Sequence, residues 1–238
     1  MLDPDNHYIK IYRSQGRSYH EMISFEDTDQ NLRPALESIT PFGRQPVLDL
    51  GTGTGRLPLL FPELRFIGLD LHLHMLREHQ AHFPRERMLV QADMRRLPFP
   101  GRKFEIVTAG WAIGHFMSWF PNDWKDQAGQ VVGNAFRCLK PGGWFIIVET
   151  MTTGSHTPAP PTHALAEYYH WLETEWGFSH QVIQTDYLFE TLEQAVAFAQ
   201  FFFGEDLGNL VRKKNWVRLP EWTGIWSKQL YAQEEPND

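Results

Sequence analysis

Residues 47–57 read VLDLGTGTGRL. An apolar run gives way to Gly51, Gly53 and Gly55, separated by Thr52 and Thr54. Glycine admits positive φ and lets a ligand lie on the peptide with no Cβ in the way. In an open α/β sheet, ligands bind at the carboxyl ends of the strands. The stretch therefore predicts a buried strand, a tight turn and a helix, with a ligand resting on residues 51–53. A tight turn with no ligand is the other reading.

Apolar runs of the same kind recur at residues 66–69, 88–90, 104–109 and 144–148. They are β-branched or aromatic and barely alternate, as strands buried on both faces do. The gaps suit a crossover helix each time. Residues 71–83 carry Leu73, Leu76 and Gln80 at helical spacing, with Pro84 as a stop. Residues 123–139 have Asn122 or Asp123 as cap and Pro141-Gly142-Gly143 as terminator. The helix after Gly55 is short, interrupted at Pro62. Strands alternating with helices predict a doubly wound α/β fold. Beyond residue 150 the pattern changes. A proline-rich loop (151–163) precedes an aromatic helix (164–176), a loosely alternating sixth strand (181–189), a helix capped by Thr191 (192–203) and a last strand (222–230). The tail EEPND reads as frayed.

The chain has 238 residues, enough for one domain with a core. Hydrophobic residues make up 42% and charged residues 21%, as in soluble globular proteins. The formal net charge of -7 argues against a nucleic-acid partner, which needs a basic patch. Cys138 stands alone, so nothing calls for an oxidising compartment. The polar start is no signal peptide, and no apolar run reaches the ~20 residues of a membrane span. A cytosolic protein is expected.

A dinucleotide-binding turn reads G-x-G-x-x-G; this one is a residue shorter. Asp70 closes the second strand, where a carboxylate accepts hydrogen bonds from both ribose hydroxyls. That fits NAD as well as other adenosyl ligands. Asp49 puts negative charge beside the turn, which repels a pyrophosphate and suits an amino group or a sulfonium.

VLDLGTGTG resembles the first motif of class I S-adenosylmethionine-dependent methyltransferases, and further motifs follow in order. FIGLDLHLHML is similar to the ribose motif, LVQADMRRLPF to the third-strand segment, KFEIVTAGWAIGHF to the fourth strand and its exit, and FRCLKPGGWFIIVET to the helix, turn and fifth strand. The likeness covers residues 45–150. Glu105 is a small departure, since many members have Asp there. The resemblance implies S-adenosylmethionine as cofactor, a small-molecule acceptor, and a Rossmann-like sheet of seven strands, mostly parallel with the last antiparallel. It implies that Asp49, Gly51, Thr52 and Gly53 hold the cofactor with Asp70 on its ribose and Leu71 and Met75 near the adenosine. It places Asp93 on the adenine amino group, Met94 against the ring, and Gly110 and Trp111 beside the methionine part. Residues 12–27 resemble a helical lid, from which Tyr19 reaches the cofactor or simply packs on the sheet. The implied organisation is one domain: a lid (1–44), a cofactor-binding core (45–150), an aromatic insertion (151–180) and a C-terminal part completing the sheet (181–232).

Methyl transfer from a sulfonium is an in-line displacement. Positioning alone contributes about 7–11 kcal/mol, and a base adds about 10²–10⁴-fold where the acceptor arrives protonated. His115, past the fourth strand, is the weak candidate for that base; its bland reading is a loop polar group. His20 and His170 are weaker candidates. His72, His74, His79 and His82 invite a metal reading, but neighbours on a helix point apart, and no metal is expected. Cys138 reads as a small buried apolar residue. Tyr168, Tyr169, Trp171 and Trp176 are expected to roof the acceptor, facing Trp111, Phe116, Trp119 and Phe120. Such a pocket suits a flat apolar acceptor or a cationic amine; a second small core is the alternative. FAQFFFGED reads as a packed helix face and residues 212–214 as solvated surface. Two other functions stand beside methyl transfer: a catalytically silent cofactor-binding partner protein, and an NAD-dependent oxidoreductase. The second is disfavoured by the glycine spacing, Asp49 and the lack of a Tyr-x-x-x-Lys pair. The fourth strand also lacks the Asn/Asp-Pro-Pro-Tyr turn of enzymes that methylate nucleic acids.

Overall fold

A computed structural model describes residues 5–43, 45–83 and 88–231. The strands are β1 (Val47–Leu50), β2 (Phe66–Asp70), β3 (Met88–Gln91), β4 (Phe104–Gly110), β5 (Leu139–Thr153), β6 (Ser179–Gln184), β7 (Tyr187–Leu188), β8 (Arg218–Leu219) and β9 (Glu221–Gln229). Seven form one sheet in the order β3-β2-β1-β4-β5-β9-β6. All run parallel except β9, which is antiparallel to both its neighbours. The order reverses between β1 and β4, where the crevice of a doubly wound sheet opens. Because β9 runs backwards, its first residue, Glu221, lies at the same end as the carboxyl ends of the other strands.

Helices α1 (His7–Ser14), α2 (Gly16–Ile23), α3 (Leu32–Ile39), α4 (Arg56–Leu60), α5 (Leu73–His82), α6 (Phe116–Trp119), α7 (Trp124–Cys138), α8 (His163–Thr174), α9 (Leu192–Phe203) and α10 (Glu205–Lys214) flank the sheet or cap its open end. α7 buries Ala128, Val131, Val132, Ala135 and Cys138, the one-sided stripe of a helix lying on a sheet. Thr162 caps α8 by accepting from the Leu165 N–H, and Thr191 caps α9 through the Gln194 N–H. None of the described helices is long and apolar enough to cross a membrane.

Three differences from the sequence reading have physical causes. α8 is not a roof. Its Tyr168, Trp171 and Leu172 are buried in the main core, and Trp124 of α7 meets Tyr168 and Trp171 edge-on at 6.2 and 5.6 Å. The run 181–189 is not one strand. Asp186, buried at the break, accepts from the Glu221 N–H at 3.0 Å and from Arg218 Nε at 2.7 Å, which turns β7 aside to pair with β8. β5 also starts before the proline-glycine turn, which Gly142 and Gly143 tie to Leu230 through backbone hydrogen bonds of 2.6 and 2.8 Å. Pro84 and the tail EEPND lie outside the described residues.

α1 and α2 have eight residues each, fewer than the roughly 12–15 that an isolated helix needs. Packing holds them. Ile11, Tyr19, Met22 and Ile23 share a core with Met75 of α5, Tyr187 of β7 and Val196 of α9. This layer covers the carboxyl ends of β1, β2 and β4.

Candidate active site

The glycine turn is fixed from below. The N–H groups of Gly51 and Thr52 donate to the Leu69 carbonyl at 2.8 and 3.0 Å. Gly51 has φ 68° and Gly53 φ 53°, both left-handed. A Cβ on Gly51 would lie 2.6 Å from that of Ala112, so packing forbids it; on Gly53 its nearest neighbour would be Met75 Cε at 3.5 Å. At Gly53, backbone conformation and the open cleft beside it, rather than crowding, favour glycine. Asp70 is pinned against the turn: Oδ2 accepts from the Gly53 N–H at 2.9 Å and Oδ1 from the His72 N–H at 2.8 Å. Each oxygen keeps a second lone pair.

Gly51, Thr52, Gly53, Asp70, Leu71, Met75, Asp93, Met94, Gly110, Trp111 and Tyr19 all line one cleft. Asp49 does not. Paired with Thr108 in register between β1 and β4, it is 2% exposed and accepts from Thr108 Oγ1 at 2.6 Å. Burial pushes its carboxyl up to about 6, against the Thr108 hydrogen bond. Asp93 already has a partner, since Arg95 Nε donates to both its oxygens at 3.0 Å. Burial works to raise its carboxyl, but the Arg95 side chain and N–H outweigh it and hold it below the usual range. Phe116, Trp119 and Phe120, expected on the acceptor side, line this first cleft.

A second space of about 460 Å³ adjoins it, within the usual range of small-molecule sites. Tyr12, Tyr19, Arg56, Trp111 and His115 line both spaces and form the partition. The rest of the chamber is built from Tyr8, Glu149, Tyr187, Phe202, Phe203 and Glu221, among others. Tyr168, Tyr169, Trp171 and Trp176 line neither space, whereas the run FAQFFFGED supplies Phe202 and Phe203 as wall.

His115 Nε2 shares a hydrogen bond of 2.7 Å with the Tyr12 hydroxyl, and its ring stacks on Trp119 at 5.1 Å. Burial, then the neighbouring His72, pushes its pKa down to about 4. The imidazole is neutral at pH 7 and a weak base. His20 Nδ1 lies 3.1 Å from Thr54 Oγ1 and its ring stacks on His82 at 3.5 Å; burial depresses it to about 4 too. His170 is exposed on α8. The other histidines do separate jobs: His72 lines the cleft, His74 accepts from the Gly16 N–H and His79 is fully buried.

Four residues of the site escaped the sequence reading. Arg56 opens α4, stacks on the Trp111 ring with its guanidinium carbon 3.1 Å from the centroid, and forms an ion pair with buried Glu26. Trp111 carries φ 51°, unusual for a bulky residue, and its N–H donates to the Val148 carbonyl at 2.6 Å. Tyr12 holds His115 as described. Glu149 is 4% exposed; its Oε1 accepts from the Gly114 N–H at 2.7 Å, and burial pushes its carboxyl up to about 8. Glu221 is 2% exposed; its Oε1 accepts from Thr150 Oγ1 at 2.9 Å, while Oε2 has no hydrogen-bond partner. Burial raises its carboxyl as well, against the nearby Thr153 and Thr150 hydroxyls and Arg56. A signal existed for Glu149: a charged residue closes the apolar run of β5 at the ligand-binding end of the sheet.

Residues 48–147 match the protein family described as "Methyltransferase domain". The chain is 33% identical over 113 residues to the ubiquinone/menaquinone biosynthesis C-methyltransferase of Desulfotalea psychrophila, covering 45% of this chain and 42% of that protein. It is 30% identical over 158 residues to the demethylmenaquinone methyltransferase of Thermus thermophilus, covering 63% and 64%. The chain thus spans less than two thirds of the length of these curated relatives. Among solved structures, one described as a putative methyltransferase from Bacillus halodurans superposes with a TM-score of 0.53 at 20% identity, covering 84% of this chain and 99% of that one. That likeness concerns the fold.

Proposed function

We propose that this chain, which belongs to the class I S-adenosylmethionine-dependent methyltransferases, binds S-adenosylmethionine in the glycine cleft and methylates a small molecule held in the adjoining chamber. The observation that carries the reading is the bare peptide at Gly53, whose N–H donates to Asp70 beside a cleft that shares a wall with a second chamber. The residues fit an adenosyl sulfonium. Asp70 has lone pairs for two ribose hydroxyls, Met94, Leu71 and Met75 offer apolar contact for the adenine, and Asp93 accepts from its amino group. Gly110 and Trp111 border the methionine part, and Tyr19 closes over it. When bound, that cofactor supplies an electrophilic methyl group on an excellent leaving group.

The protein's own contribution is placement and dryness. Trp111, locked by its hydrogen bond to Val148, and Arg56, stacked on it, form a rigid border between donor and acceptor. Tyr12 and His115, bonded to each other, close the same border from the α1 side. The chamber is lined mainly by aromatic and aliphatic side chains, which exclude water and favour a small organic acceptor. The acidic net charge supports a small-molecule over a nucleic-acid acceptor, and the lone free Cys138 supports a reducing compartment.

Calorimetry tests the reading. S-adenosylmethionine and S-adenosylhomocysteine bind, NADH does not, and Asp70→Ala weakens the adenosyl ligand more than tenfold. Binding of NADH alone, or an affinity indifferent to Asp70, overturns it.

A further inference from the structure

The chamber holds more acid than an apolar acceptor needs. Glu149 and Glu221 both line it, each at least nine-tenths buried. Buried carboxyls are retained when something pairs with them. Around them the described structure supplies one guanidinium, Arg56, and that group already has Glu26 as its ion-pair partner. With Arg56 paired to Glu26 outside the chamber, neither Glu149 nor Glu221 has a cation of its own, and each can ionise only when one is supplied. Glu221 Oε2 has no hydrogen-bond partner, and the Thr153 hydroxyl lies near its carboxyl beside that of Thr150. The remaining groups around the two acids are His115, held neutral, and the hydroxyls of Tyr12, Tyr168, Tyr169 and Tyr187. Asp186, near Glu221, is taken up by its ion pair with Arg218. What is missing is a cationic hydrogen-bond donor. The aromatic walls, with Tyr8, Tyr12, Tyr187 and Phe202, suit a cation as well as a hydrocarbon, because a ring face attracts positive charge. A carboxylate acceptor would be repelled by the two acids, and a neutral one would leave them without a cation.

The geometry points to a basic amine as the methyl acceptor: an arylalkyl or alkyl amine whose ammonium pairs with Glu149 and Glu221 and whose proton passes to Glu149. This rests on the donor reading of the neighbouring cleft. The ammonium enters as R–NH3⁺. Glu149, as carboxylate, accepts one proton and becomes a carboxylic acid, leaving R–NH2 with a free lone pair. That pair forms the new nitrogen–carbon bond while the methyl–sulfur bond breaks and its electrons stay on sulfur. The product is the N-methyl ammonium, and Glu149 keeps the proton it took, back in the form it holds in the empty chamber, so the one proton released overall is the one lost when the amine binds. An unprotonated nitrogen is required because an ammonium has no pair to donate. Burial pushes Glu149 up to about 8, which brings it close enough to an alkyl ammonium for the transfer and keeps it protonated in the empty chamber at pH 7.

The test uses three probes of matched shape, 2-phenylethylamine, 2-phenylethanol and 3-phenylpropanoate, titrated calorimetrically into the full chain saturated with S-adenosylhomocysteine. The amine binds at least tenfold more tightly than the alcohol, and the acid does not bind. Amine binding ionises a carboxyl that was protonated, so it releases about one proton at pH 7, read from heats in buffers of different ionisation enthalpy, and tightens from pH 6 to 8. Alcohol binding releases none. Glu149→Gln abolishes the proton release and the preference for amine, and Glu221→Gln weakens the amine without affecting the alcohol. S-adenosylhomocysteine affinity reports whether each variant is folded; if neither folds, proton release by the wild-type chain across the three probes decides alone. With S-adenosylmethionine, mass spectrometry finds one added methyl group on the amine. An amine that binds no better than the alcohol, fails to bind, or binds without proton release overturns the assignment. Failure of S-adenosylhomocysteine itself to bind is a different result, and sinks the donor reading first.

Discussion

Arg56 shows what one residue decides here. It follows the last glycine of the turn, and nothing in VLDLGTGTGRL marks it out, because both its partners, Glu26 and Trp111, come from other segments. Glu221 is similar, its hydroxyl partner Thr150 lying 71 positions away. Asp70 was legible because its type, its place at the end of a strand and its distance from the glycines together carry the meaning. Arg56→Ala leaves the side chain of Glu26, 2% exposed, without its cation. Removing one partner of a buried pair typically costs about 3–5 kcal/mol. We expect a loss of that size in urea unfolding, and recovery of most of it in the double variant Arg56→Ala with Glu26→Gln. Equal stability of the single variant and the wild type would mean that the pair is solvated.

Among the elements, the central strands β1, β2, β4 and β5 could be read from the sequence because a strand buried on both faces has a continuous run of apolar residues, whereas the more exposed β6 could not be bounded. α8 could not be placed so easily. Tyr168, Trp171 and Leu172 have the same composition whether they roof a ligand or fill a core, and only the contact with Trp124 decides. α10 escaped because its surface is largely charged and few of its residues are buried. α1 and α2 have a mechanical part. With these helices in place the glycine cleft measures about 80 Å³, well below the roughly 300–1,000 Å³ of ordinary ligand sites. We expect Tyr12 and Tyr19, which line it from these helices, to swing outward as an adenosyl ligand enters. Ile11 is 1% exposed in the core that anchors these helices and lines neither space. Ile11→Ala removes buried contacts worth about 2–5 kcal/mol, so association of S-adenosylhomocysteine speeds up several-fold in stopped-flow tryptophan fluorescence. An unchanged rate would show that the helices do not gate entry.

For the molecule as a whole, acid groups buried at the open end of the sheet set the response to pH. Glu149 and Glu221 prefer the protonated form in the fold, so the native state holds more protons than the unfolded chain above about pH 4.5. Their contribution to stability is complete below the unfolded pKa and is lost as pH rises through the folded one, about 8 for Glu149. His20 and His115, pushed down to about 4, act in the opposite sense but only between about pH 4 and 6.5. Above pH 6.5 the glutamates act alone. The stability of the unliganded chain accordingly falls from pH 6.5 to 8, by up to about 1.4 kcal/mol per pH unit for each carboxyl still protonated, and its melting temperature falls with it. Glu149→Gln flattens that slope. A melting temperature that rises over this interval contradicts the burial of these acids. The alternation of strands and helices was accessible from the sequence because each apolar run stands apart between helical segments. The acidic chamber was not, since it exists only where β5, β9 and the N-terminal helices converge.

The partition of Tyr12, Tyr19, Arg56, Trp111 and His115 has a thermodynamic corollary. A side chain that faces two ligands cannot be ordered by one without changing the cost of binding the other. Whatever factor the spent cofactor contributes to the acceptor's affinity, the acceptor must return to the spent cofactor in equal measure. Two titrations run in opposite order close that cycle, and the size of the common factor measures how far these five side chains act as one body.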